Sequence, residues 1–350
     1  MNRAIGQRGF NAENPESALE LIEKPIPSAA PGYVVVHIKL RPINPTDLVT
    51  IRTGRIARYV EGTPTPGSEG YGIVHAVGEG VTKVNLGQRV VPFMWEGLRV
   101  GEGSWQEYVS VREDMLTAVP NSIPDEVAAQ FVINPWTAYG MLIELGIPKG
   151  EYLLQTAAGS VIGRQIIQLA KHWGIRTINV IRRAEQTEEL KELGADEVIC
   201  SQTEGRGIGT LMGVAFSLQD VISRVKAITS GRLAHGALDC VGGELTKSVT
   251  GSVRRGGLVL IYGVLSGPDA KVRINDLFRQ VHVKGWILST SWEDKEKRKL
   301  YIEETWKLLE AKVIQPFSGE NFDLADFKHA IEKSEEIGRG GKVFLSSAFA

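Results

Sequence analysis

From about residue 126 to residue 290, strand-like and helix-like stretches alternate, and this alternation constrains the fold more than any other feature. Tyr152-Leu153-Leu154-Gln155-Thr156 reads as a short apolar strand. Ile162, Ile166, Leu169, Ala170 and Trp173 then recur at helical spacing. Thr177-Ile178-Asn179-Val180-Ile181 is a second strand, and 185–193 a charged helix stopped by Gly194, a suitable left-handed end residue. Further strands fall at 197–200, 236–241, 257–262 and 281–287. Parallel strands need crossovers that lay helices on the sheet faces. Six of them predict an α/β domain with a doubly wound parallel sheet over 126–293.

The first 125 residues follow another rule. Val34-Val35-Val36-His37-Ile38-Lys39-Leu40 is β-branched and strand-forming, as are 72–77 and 89–93. Pro31-Gly32, Pro66-Gly67 and Gly78-Glu79-Gly80 punctuate them. Short strands with such turns predict a compact β-rich, barrel-like domain. The tail, 294–350, holds a helix around Trp306, Leu308 and Leu309 and a last strand at 342–345, and is expected to rejoin this first domain.

Charge narrows the partners. Forty Lys and Arg against 41 Asp and Glu leave a net charge of -1, without the basic excess of a nucleic-acid-binding chain. No apolar run approaches the roughly 18–20 residues of a membrane span. The opening Met1-Asn2-Arg3-Ala4-Ile5-Gly6 reads as a first strand of a cytoplasmic protein, or of an organelle protein after processing. Cys200 and Cys240 each close an apolar stretch and read as buried thiols. The six histidines include no close ligand pair, so no metal site is expected.

Two stretches carry a cofactor signal. After the first strand of the alternating region comes Ala157-Ala158-Gly159-Ser160-Val161-Ile162-Gly163. A strand, a small-residue turn and a helix start together make an anion site. Of the usual GxGxxG glycines only Gly163 remains; Ala158 and Ser160 stand at the first two. The second strand ends in Arg182-Arg183, where an acid would bond the ribose of NAD. Two guanidiniums there favour the 2′-phosphate of NADPH, the alternative being a solvated basic loop. Gly205-Arg206-Gly207-Ile208-Gly209 imitates a phosphate loop, but it follows polar residues and reads as a surface excursion.

At these residues a family resemblance appears. Ile133-Asn134-Pro135-Trp136-Thr137-Ala138-Tyr139, the 176–182 strand, Leu238-Asp239-Cys240-Val241-Gly242-Gly243, Tyr262-Gly263 and Leu288-Ser289 occur in the order of the medium-chain dehydrogenase/reductase superfamily. The chain resembles its zinc-free branch over nearly its whole length: quinone-oxidoreductase-like proteins and mitochondrial-type trans-2-enoyl thioester reductases. The resemblance implies a Rossmann cofactor domain beside a GroES-like catalytic domain. Zinc-dependent members have Cys where this chain has Pro45 and His where it has Ser68, and the four-cysteine lobe is missing. Reduction of an activated C=C bond, or of a quinone, suits a site lacking a Lewis-acid metal better than alcohol oxidation does.

The resemblance further implies roles for individual residues. Asn134 and Thr137 would lie near the nicotinamide-ribose. Gly159, Ser160, Val161 and Ile162 would pass under the pyrophosphate. Arg182 and Arg183 would hold the 2′-phosphate. Tyr262, Gly263, Val264 and Leu265 would flank the nicotinamide, with Trp286, Ile287, Leu288 and Ser289 closing over it and Lys342 returning from the tail. A tyrosine after the Asn44-Pro45-Thr46-Asp47 segment would protonate the substrate; counting back from Gly67 puts Ile56 at its place, with Tyr59 three residues later. Asn44 would orient the substrate or stabilise its own turn. Three readings follow: an NADPH-dependent enoyl thioester reductase, an NADPH:quinone reductase, and a nucleotide-binding protein without turnover. A homodimer joined through cofactor-domain sheet edges is implied as well.

Overall fold

A computed structural model describes the chain except for residues 10, 12, 55–59, 202–217, 339 and 348–350. The side chains of 218, 219, 290 and 291 are likewise outside the description. Two compact units result: Met1–Ile133 with Pro316–Ala350, and Asn134–Gln315.

The second unit is built on a six-stranded, all-parallel sheet. Its spatial order is Glu197–Cys200, Arg176–Ile181, Tyr152–Thr156, Ala234–Asp239, Val253–Ile261, His282–Gly285. The chain therefore winds outward twice from Tyr152–Thr156, the doubly wound arrangement. Leu154, Ile178, Val180, Ile199, Ala237 and Val259 are fully or almost fully buried, which is why these strands read as continuous apolar runs. The strand order reverses between Tyr152–Thr156 and Ala234–Asp239, and ligands of such sheets bind at that switch point, beyond the carboxyl ends of the strands.

The first unit centres on a seven-stranded sheet path from Ser318–Asp323 through Lys342–Ser346, Tyr33–Pro42, Tyr71–Val77 and Arg89–Pro92 to Leu116–Ala118, with Tyr108–Arg112 also on Tyr33–Pro42. All its pairs are antiparallel except Ser318–Asp323 with Lys342–Ser346. Val34, Val36 and Ile38 fill one core on one face of their strand, as period-2 alternation requires.

The expected boundaries at 125/126 and 293/294 move later in the chain at both places. Helix Asp125–Ala129 stays with the first unit, where Arg89 pairs with Asp125 at 2.6 Å. Helix Lys295–Glu310 belongs to the second unit rather than to the tail. Its Tyr301 packs edge-on against Trp136 and Tyr139, with ring centroids 6.0 and 5.3 Å away. No described helix is long and apolar enough to cross a membrane.

Candidate functional site

In the second unit, strand Tyr152–Thr156 turns sharply into helix Val161–Trp173. Ala157 adopts the left-handed conformation (φ 49°), a strained setting for a residue with a Cβ. Ser160 caps the helix, its hydroxyl accepting from the Gly163 amide at 3.1 Å. A Cβ on Gly163 would lie 2.6 Å from the Ala158 carbonyl oxygen, so only glycine lets helix and turn approach this closely. The Val161 and Ile162 amides then sit in the first turn, where a helix has no internal acceptors for its N–H groups. The predicted phosphate loop is thus an open helix amino end.

Beside it, the chain leaves strand Arg176–Ile181 at Arg182 and Arg183. Arg182 is exposed and Arg183 half-buried. Among the described arginines these two alone have guanidiniums with no hydrogen-bond, ion-pair or ring partner. No acid competes at the strand end, because Asn179, Val180 and Ile181 are buried and Asn179 donates to Thr177 Oγ1 and the Glu197 carbonyl. Up to ten unpartnered N–H donors beside an open helix end suit a phosphorylated dinucleotide.

The other strand ends form a rim. Asp239 is fully buried and only accepts: from Thr156 Oγ1 at 2.9 Å, Thr246 Oγ1 at 2.8 Å, and the Val241 and Gly242 amides at 3.0 and 3.3 Å. Sequence reasoning gave Asp239 no role; its one signal was an acid closing an apolar strand. Tyr262 is half-buried, and its hydroxyl faces the Cys240 thiol. Burial pushes that thiol up to about 11, so Cys240 is an inert packing group. A Cβ on Gly263 would lie 2.6 Å from the Cys240 carbonyl oxygen. Val264, Leu265 and Ile287 expose 54, 59 and 61% of their surface, an apolar lip of the kind a nicotinamide ring rests on. Leu288 and Ser289 are half-buried, and Asn134 and Thr137 nearly buried on helix Ile133–Leu145. Trp286 is buried, its ring packed against Gly140, where a Cβ would come within 2.9 Å of it.

The first unit holds a different polar region. Asn44, at the start of helix Pro45–Thr53, is fully buried. Its amide nitrogen donates to Glu69 Oε1 at 2.9 Å, its amide oxygen accepts from Lys342 Nζ, and its backbone N–H donates to Asp47 Oδ2 at 2.9 Å. Glu69 Oε2 accepts from the Val132 and Ile133 amides at 3.1 and 2.8 Å. Burial pushes Glu69 up to about 7, opposed by the Ile133 amide, the Lys342 ammonium and Asn44. Burial likewise pushes Asp47 up to about 6.

Asn44 and Lys342, expected near substrate and cofactor, meet each other in this buried cluster. Glu69 was missed; its signal was an acid set between Gly67-Ser68 and Gly70. Tyr59 and the second glycine cluster lie outside the described residues. Pro45 begins the helix and Ser68 is buried beside Asn44. Among the described residues no three His, Cys, Asp or Glu side chains gather as metal ligands would.

Known proteins match both units. A family model described as "Alcohol dehydrogenase GroES-like domain" matches residues 30–121, and one described as "Zinc-binding dehydrogenase" matches 161–304. The mitochondrial enoyl-[acyl-carrier-protein] reductase of Dictyostelium discoideum is 32% identical over 89% of this chain and 85% of its own length. That of Xenopus tropicalis is 31% identical over 95% of this chain and 93% of its own. A crystal structure of a candidate NADPH:quinone reductase from Bacillus thuringiensis superposes with a TM-score of 0.86, at 33% identity and 99% coverage of both chains.

Proposed function

The chain belongs to the medium-chain dehydrogenase/reductase superfamily, and from that premise we propose that it is an NADPH-dependent reductase acting on the activated C=C bond of a trans-2-enoyl thioester. The observation that carries the cofactor half of this reading is the pair of unpartnered guanidiniums at Arg182 and Arg183 beside an open helix end. Each charge-assisted bond to a phosphate contributes about 1.5–3 kcal/mol. NADPH, when bound, supplies the hydride. The chain's own residues bind and orient it: the Val161 and Ile162 amides meet the pyrophosphate, Arg182 and Arg183 the 2′-phosphate, and Val264, Leu265 and Ile287 the ring.

The substrate half rests on the enoyl reductase names of its relatives and on Pro45 and Ser68, neither of which suits zinc. Hydride addition to an enoyl thioester builds enolate charge, which a proton donor must quench. We assign that donation to Tyr59, and Tyr59→Phe should lower crotonyl-CoA reduction by about 100-fold. An unchanged rate removes Tyr59 from the chemistry.

Quinone reduction is the second reading, favoured by the fold match to the Bacillus thuringiensis protein. A reduced quinone takes its protons from water, so that activity is indifferent to Tyr59. NADPH consumption with crotonyl-CoA but not with a benzoquinone supports the first reading, and the opposite preference the second. Tight NADPH binding with neither activity marks a binding protein without turnover.

A homodimer belongs to the same proposal. Strand His282–Gly285 is paired on one side only, and Ile274, Leu277 and Phe278 just before it expose 60, 45 and 76% of their surface. Pairing two such edges covers both liabilities. Light scattering should give twice the 38.3 kDa chain mass, and Phe278→Glu should return the monomer.

A further inference from the structure

We propose that Thr156 is a positioning residue that locks three strand ends of the second unit into one rim, and that dinucleotide affinity depends on its hydroxyl. The inference rests on the dinucleotide reading above and goes beyond it, since that reading gives Thr156 no part. Thr156 is the last residue of strand Tyr152–Thr156, immediately before the turn that leads to the open helix end. It is fully buried, so its hydroxyl serves the protein and does not touch a ligand directly.

That hydroxyl does two things at once. It donates to Asp239 Oδ1 at 2.9 Å and accepts from the Cys240 amide at 3.1 Å. The neighbouring strand end is thereby held by both a side chain and a backbone group. From Cys240 the linkage continues. Its carbonyl accepts from the Leu265 amide at 3.1 Å, and the Val241 carbonyl accepts from the Ser266 amide at 2.9 Å. The ends of Tyr152–Thr156, Ala234–Asp239 and Val253–Ile261 are thus one hydrogen-bonded chain with Thr156 at its first link. The first two ends flank the switch point and the third adjoins the second, so a slip between them misaligns phosphate-binding amides against the apolar lip.

Asp239 provides an internal control. Thr246, also fully buried, donates to the other carboxylate oxygen at 2.8 Å, but it lies on helix Leu245–Gly251 and ties no second strand end to the rim. Thr156→Val and Thr246→Val each remove one buried hydroxyl from the same carboxylate at nearly constant volume. A purely structural role lowers stability in both and leaves dinucleotide affinity untouched in both. The positioning role separates them.

The test compares the wild type, Thr156→Val, Thr156→Ser and Thr246→Val as full-length protein. It reads NADPH Kd by fluorescence titration, steady-state KM and kcat, melting temperature, and amide exchange in peptides covering 157–163 and 239–243. Both valine variants should melt lower, Thr156→Val by more because it also leaves the Cys240 amide without its acceptor. Only Thr156→Val should raise the NADPH Kd and KM at least fivefold with kcat nearly unchanged, and only it should speed exchange in both peptides together. Thr156→Ser should match the wild type, since it keeps the hydroxyl. Equal affinity loss in the two valine variants, or none in Thr156→Val, overturns the proposal. If the wild type binds neither NADPH nor NADH, the dinucleotide reading fails, and with it the claim on affinity. The exchange comparison still decides the latch. If Thr156→Val does not fold, Thr156→Ala replaces it, with the same outcomes required.

Discussion

The two polar regions of this chain are built on opposite rules. Around Asn44, the amide donors and acceptors are matched and buried: Glu69 takes three donors, Asn44 serves three partners, and Lys342 sits between carboxyl groups that burial has pushed up. Around Arg182 and Arg183, cations and helix amides face outward with nothing to accept from them. A saturated buried cluster specifies structure, because any loss leaves an uncompensated group. An unsatisfied, accessible set of donors is costless in water and becomes valuable only when an anion arrives. Polarity alone therefore does not mark a candidate binding site; unmatched polarity within reach of solvent is the feature on which the proposal rests.

Breaking the closed region should have the largest effect. Lys342→Met removes a cation that acts on two buried carboxyls and should lower stability by about 3–5 kcal/mol at pH 8. Urea unfolding checks this. The loss should shrink at pH 5, where Asp47 and Glu69 take up protons. The same groups set a pH trend in the wild type. Both hold their protons more tightly folded than unfolded, so their contribution to stability is full below about pH 4 and fades as pH climbs through about 6 to 7. A combined Asp47→Asn, Glu69→Gln variant should lack that fall between pH 5 and 8. An identical pH profile would show that the cluster does not titrate there.

The open region should respond in binding more than in stability. Arg182→Ala is expected to weaken NADPH roughly tenfold to a hundredfold, matching about 1.5–3 kcal/mol, while leaving NADH within about twofold. Ser160→Ala sharpens the contrast, since it removes a helix cap inside the open site. It should reduce stability by about 1 kcal/mol and weaken both dinucleotides equally. The smallest effect belongs to Ala157→Gly, which relieves a left-handed alanine and should change stability by no more than about 1 kcal/mol. A large loss there would mean that the alanine side chain itself is needed.

How much of this was legible in the sequence follows the same division. The parallel strands were readable because a strand buried on both faces must be apolar throughout, as Leu153-Leu154 and Val180-Ile181 are. Arg182 and Arg183 stood out as a basic pair where an acid is the common alternative, and their part in binding is what the proposal adds. Helix Lys295–Glu310 was assigned to the wrong unit, because its docking depends on Trp136 and Tyr139, more than 150 residues earlier. That Asn44 and Lys342 meet was not legible for a related reason. Their mutual hydrogen bond joins residues 298 positions apart. A residue's type shows what it can bond to, whereas whether its partners are already supplied is decided by the fold.

The central claim is that the open end of the second unit selects a 2′-phosphate. Its most direct test is the ratio of NADH to NADPH dissociation constants, measured by titration for the wild type and for the Arg182→Ala, Arg183→Ala double variant. The account predicts at least a tenfold preference for NADPH in the wild type and near parity in the double variant. Equal affinities in the wild type, or a preference for NADH, would contradict it.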